Sequence, residues 1–239
     1  MRRELLIWLV VLASCKKGND LSRGIYEPPA PVTGKNYSAA EITSFKQITL
    51  KAAGYGVITR MPREVSIYIV DSSFGYMNRE MDSIISEINT LLSPNLVLRR
   101  VPERSAAFLQ AYFTDQATYL SEQPSAAPSL EGSSHLGLAK MYYEDEGIIF
   151  GGSIFVDMAR TGSDSAQQLF ILHHEIMHSL GFLGHTTSTQ FYTVMFYYAV
   201  TPFMTDYSDF DRKMMKLLYD PAIRSGMTEG EFDEVVKGL

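Results

Sequence analysis

The chain has 239 residues, 46% of them hydrophobic, and a formal net charge of -6. That length is enough for one domain with a sizeable core, and the acidic balance argues against nucleic acid as a partner. The single cysteine, Cys15, excludes an intramolecular disulfide.

Arg2 and Arg3 precede an apolar run over residues 5–13 that is too short to span a bilayer, so residues 1–14 read as a signal peptide. The run ends Leu12-Ala13-Ser14-Cys15, which resembles the bacterial lipobox, in which the cysteine becomes the lipidated first residue. The location this implies is the bacterial cell envelope, periplasmic or surface-exposed, anchored to the membrane through Cys15. Residues 15–37 form a tether: 16–33 are polar and carry Gly18, Gly24, Pro28, Pro29 and Pro31. Residues 38–239 are the folded part.

Ser38-x-x-Glu41 is a capping box. It opens a helix with Ile42, Phe45, Ile48 and Ala52 on its apolar side, closed by Gly54. Residues 65–70 alternate and are β-branched, a strand. Met77, Met81, Ile84, Ile85, Ile88, Leu91 and Leu92 make one helical stripe that Pro94 stops. Residues 96–101 and 107–113 read as two strands, 121–134 as a Ser- and Pro-rich surface loop, and 136–143 and 148–157 as two more strands. A helix with Asp164 as N-cap and Gln167 at its third position follows. Ser208, Asp209 and Asp211 cap the last helix, which carries Met214, Met215, Leu217 and Leu218.

The helix after Asp164 holds His174-Glu175-x-x-His178. Residues four apart share a helix face, so both imidazoles point at one ion and Glu175 stands beside whatever that ion binds. The chemistry is two zinc ligands and a general base. Gly181 ends the helix, and His185 then comes within reach as the third ligand. Asp206, Asp209 and Asp211 are the alternatives for that place. His173, one residue round the helix from His174, reads as packing or bonding in the surroundings rather than as a ligand.

This segment resembles the metzincin zinc endopeptidases, whose signature is H-E-x-x-H-x-x-G-x-x-H. His174, Glu175, His178 and Gly181 match position by position; His185 falls one residue later than the family's third histidine, where this chain has Gly184. The extra residue would be absorbed at Gly184, which tolerates angles closed to other residues. Downstream, Thr193-Val194-Met195-Phe196-Tyr197 resembles the family's methionine turn, with Met195 as its methionine. The resemblance makes Tyr197 a residue that contacts the metal or the transition state, with Tyr198 in its place if the turn shifts by one. The tail at Leu218-Tyr219-Asp220-Pro221 and Gly226-Met227 resembles an uncharacterised group of bacterial metzincin-like proteins.

The fold implied is α+β and zincin-like: a twisted mixed sheet with an antiparallel edge strand, an active-site helix and a small C-terminal helical subdomain. The division falls at about residue 181, with 182–239 forming the C-terminal part. By the same resemblance, Leu138, Ala139, Lys140 and Met141 lie on the edge strand above the cleft, where an extended peptide adds as a further strand. Val200, Pro202 and Phe203 are placed at a specificity pocket. The expected activity is peptide-bond hydrolysis by one Zn2+ ion held by His174, His178 and His185, with a peptide or protein as substrate. Two other readings stand beside it: a non-catalytic zincin-fold lipoprotein that binds a protein or peptide partner, and hydrolysis of a non-peptide amide.

Overall fold

The computed structural model describes residues 33–50, 56–70, 73–144, 146–196 and 202–239. Cys15, Gly54, Tyr197, Tyr198 and Val200 lie outside them.

Helix α1 (Ala39–Thr49) begins as the capping box requires. The Ser38 backbone N–H donates to Glu41 at 2.7 Å, and the Glu41 N–H donates to the Ser38 hydroxyl at 3.3 Å. Ile42, Phe45 and Ile48 are buried. Strand β1 (Glu64–Ile69) buries Val65, Ile67 and Ile69 on one face, the period-2 pattern of its sequence. Helix α2 (Gly75–Leu92) crosses over to β2 (Val97–Arg100) with its Met and Ile stripe inward. The Asn89 side chain fastens the return by bonding both the N–H (2.7 Å) and the carbonyl (2.8 Å) of Leu98.

Strands β3 (Leu109–Thr114), β4 (Gly137–Tyr143) and β5 (Ile149–Asp157) complete a five-stranded sheet of order β2-β1-β3-β5-β4. Four strands run parallel, and β4 pairs antiparallel with β5 at one end of the sheet. Between β3 and β4 the sequence reading of a surface loop is corrected. Residues 116–130 form α3 (Gln116–Glu122), a 3-10 turn (Pro124–Ala126) and α4 (Ala127–Leu130). Pro124 and Pro128 occupy first-turn positions, where a missing N–H costs nothing. Tyr119, Ala126 and Leu130 pack on Tyr112, Leu138 and Phe155, a second small core on the sheet face away from the main one.

The short α5 (Met158–Thr161) leads into α6 (Ser165–Leu180), which packs on β4 and β5. Helix α7 (Asp209–Leu218) starts at Ser208 as expected, but it is not the last. Thr228 and Glu231 form a third capping box, opening α8 (Glu229–Val236). Phe232 of α8 stacks on Phe45 of α1 at 4.9 Å, and Lys46 pairs with Glu229 at 3.2 Å and with Asp233. The architecture is α+β, a mixed five-stranded sheet with eight helices among the described residues. Among those residues no helix is long and apolar enough to cross a membrane.

Candidate metal centre

Helix α6 is capped by Asp164, whose carboxylate accepts the Gln167 N–H at 3.0 Å. From Phe170 to Leu180 every residue is buried, because this helix has the sheet on one side and α2 on another. Gly181 ends it at φ 116°, and a Cβ there would lie 2.0 Å from the Thr59 carbonyl oxygen. Both the backbone angle and the close approach therefore require glycine.

The turn after Gly181 brings His185 to the two helix histidines. The Nε2 atoms of His174, His178 and His185 lie 3.0, 3.1 and 3.3 Å apart. Such spacing is close to the edge, about 3.3 Å, of a tetrahedron with metal–nitrogen bonds of about 2.0 Å. Two of the rings are oriented by backbone carbonyls: His174 Nδ1 bonds Val194 O at 2.6 Å, and His178 Nδ1 bonds Phe182 O at 2.5 Å. With its proton on Nδ1, each ring turns an Nε2 lone pair to the centre. Burial lowers His174 to about 4. Burial, with the neighbouring His174 and His135, lowers His185 to about 3, and His178 also falls well below its ordinary value. All three are neutral ligands at pH 7. His174 and His178 are buried and His185 half-buried, so the cluster opens on the His185 side. These three residues can hold a metal ion.

Glu175 is buried beneath β4. Its carboxylate accepts the Ala139 N–H, and burial pushes it up to about 8. Oxygen Oε2 has no hydrogen-bond partner among the described residues. The strand lies this close only because residue 137 is glycine: a Cβ there would sit 2.4 Å from Ile171 Cγ2 and 2.7 Å from Glu175 Oε1. Gly137→Ala is therefore expected to lower the unfolding free energy by about 1–3 kcal/mol, the usual cost of overpacking. Calorimetry checks it; an unchanged melting temperature would show that β4 and α6 part freely.

Met195 is fully buried, and its carbonyl accepts the Thr186 N–H at 2.9 Å. Its turn is fixed by Asp211. That carboxylate accepts the Thr193 hydroxyl and, at 3.3 Å, the Val194 N–H, while also accepting the Ser208 N–H at 3.0 Å. Asp211 thus holds the residue whose carbonyl orients His174, and lies outside the histidine cluster. Asp209 is exposed, 3.6 Å from Arg212, and Asp206 is exposed and outside the cluster. His173 turns away: Nδ1 bonds Leu169 O at 3.0 Å and its ring edge meets Tyr207 at 4.7 Å.

Of the edge-strand residues, Ala139 meets Glu175 directly. Lys140 faces the other way, with its ammonium on the Ser125 hydroxyl and 5.4 Å from the Tyr142 ring. Leu138 belongs to the second small core and Met141 to the main one. Phe203 is half-buried, 5.7 Å from Phe170, which itself lies 5.9 Å from His174; Pro202 is exposed. Sequence reasoning missed two residues. Asp211 was legible as a helix cap and as an alternative ligand, but not as the anchor of the turn at Thr193 and Val194. His135 carried no motif, yet it is buried, bonds Ser129 O through Nδ1 at 2.9 Å and acts electrostatically on His185.

No curated protein matches the chain. Residues 38–238 match a family described as "Protein of unknown function (DUF2927)". That span starts at the Ser38 cap and takes in the sheet, the three histidines, Glu175 and the final helix. It covers well over half of the sequence, and the chain therefore belongs to the DUF2927 family.

Proposed function

We propose that this protein is a zinc-dependent endopeptidase of metzincin type, held at a bacterial membrane by a lipid on Cys15. The observation that carries the reading is Glu175 Oε2, a buried carboxylate oxygen without a hydrogen-bond partner among the described residues, on the residue next to His174 of the three converging imidazoles. Leaving such an atom unsatisfied costs about 1–3 kcal/mol or more, and sites of reaction are where that cost is tolerated, because a reactant supplies the missing bond.

Three neutral imidazoles at tetrahedral spacing suit zinc, with the fourth position open. Zinc, when bound, polarises a carbonyl and lowers the pKa of a water from about 15.7 toward about 7. In its ionised form, which a neighbouring cation favours, Glu175 takes the proton of the attacking water and delivers it to the leaving amine. A peptide in extended form adds to the outer edge of β4, beside the strand that roofs Glu175. Tyr197 stabilises the oxyanion. Phe203 with Phe170, and Val200 and Pro202 from the same stretch, border the pocket for the substrate side chain. The antiparallel end strand, the helix beneath it and the buried methionine after His185 support the metzincin assignment.

Purified protein is expected to cleave casein or a quenched peptide, to lose that activity to a chelator and to regain it with Zn2+. A zinc-loaded wild-type protein without hydrolysis would leave the partner-binding reading. For the anchor, Cys15→Ala is expected to abolish lipidation and release the protein from the membrane fraction. Unchanged fractionation and migration would overturn it.

A further inference from the structure

The first helix reaches the metal centre. Ile48 lies in the last turn of α1, where helix geometry leaves carbonyls without an internal partner. Its carbonyl accepts the Gly184 N–H at 2.9 Å. One residue earlier, the Gln47 side-chain oxygen accepts the Thr186 hydroxyl at 3.2 Å. Thr186 is fully buried, and its hydroxyl in turn accepts the Ser188 N–H at 3.1 Å. So the residues on both sides of His185 are tied to the end of α1, while the Thr186 N–H goes to Met195. Helix α1 cannot drift from this position easily: Lys46 pairs with α8, Glu41 meets Lys213 of α7 at 2.6 Å, and Phe45 meets the Phe182 ring edge at 6.3 Å.

His174 and His178 are set by the rigid frame of α6. His185 lies on a turn, and its place depends on what the turn is tied to. We infer that Gln47 is a positioning residue for the metal centre, holding His185 in reach of the other two imidazoles through Thr186. The inference rests on the three histidines being a metal site.

The test is the Zn2+ dissociation constant of the full chain, by competition with a chromophoric chelator, for the wild type and for Gln47→Ala, Gln47→Glu, Thr186→Val and His185→Ala. The visible spectrum of each Co2+-substituted protein reports the ligand geometry alongside. Gln47→Ala is expected to weaken Zn2+ binding by about 10–100-fold, the range for partners that orient a ligand, and to change the Co2+ spectrum. Gln47→Glu keeps an acceptor at the same reach and is expected to stay within about threefold of wild type. A merely structural role would lower the melting temperature of the metal-free protein without moving either readout. Should Gln47→Ala fail to fold, Thr186→Val read against Ser188→Pro decides, since the first removes the Gln47 bond and the Ser188 bond together and the second the Ser188 bond alone. Wild-type affinity and spectrum in Gln47→Ala, with binding lost in His185→Ala, overturn the inference and leave the metal site standing. Equal, weak binding by the wild type and His185→Ala overturns the metal site itself.

Discussion

A Glu175→Ala protein is expected to bind zinc as tightly as the wild type and to hydrolyse peptides at least about 10²-fold more slowly, the usual worth of a positioned general base. That factor corresponds to about 2.7 kcal/mol of barrier. The separation of the two effects follows from geometry. Glu175 is not among the three converging nitrogens, and neither carbonyl that orients His174 and His178 depends on it. The substitution also removes a buried oxygen that has no partner among the described residues, so the variant is not expected to melt earlier than the wild type by much, even though the Ala139 N–H loses its acceptor. Parallel zinc titration, calorimetry and peptide assays on purified protein check all three points. Wild-type turnover by pure Glu175→Ala would end the peptidase mechanism as drawn.

His185→Ala is expected to do the reverse, striking the metal first. Loss of partners that merely orient a ligand already costs about 10–100-fold in affinity. Loss of one of three ligands is expected to exceed that and to take hydrolysis with it. The imidazole of His185 stands 3.1 and 3.3 Å from its two counterparts, and among the described residues no carboxylate joins the group. Asp206→Ala is expected to change neither binding nor activity. Zinc affinity measured on both variants distinguishes them; a metal-binding defect in Asp206→Ala equal to that of His185→Ala would overturn the ligand set.

The helical part of the site was legible because its information is local. His174, Glu175 and His178 are related by helix period alone, and Gly181 announces the stop. His185 was legible as a histidine close downstream, although the signature it resembles places its third histidine one residue earlier. What the sequence hid is whatever depends on distant segments meeting. Asp211 reads as a cap, and it is one; that the same carboxylate also grips Thr193 and Val194 appears only once α7 docks. Gln47 has no signature, since its partner is far along the chain. Within 121–134, residues 124–130 are helical rather than loop, because Ser and Pro suit a loop and a short helix start equally well, and burial of Ala126 and Leu130 decides between them. The cap Thr228-x-x-Glu231 was visible in the sequence and passed over.

The Asp211 connection also sets an order of events. The three histidines leave the ribosome before residue 211 does. Until that carboxylate arrives, the peptide at 193–194 lacks the anchor seen in the folded protein, and the Val194 carbonyl that orients His174 is not yet fixed. A tight metal centre is therefore a late product of folding, completed by the C-terminal helices rather than by the segment that carries the ligands. Through linkage, any metal bound at that stage stabilises the whole chain and not just the motif. A histidine cluster assembled in this sequence stays open while the chain is still being made, and closes only when nearly all of it has arrived.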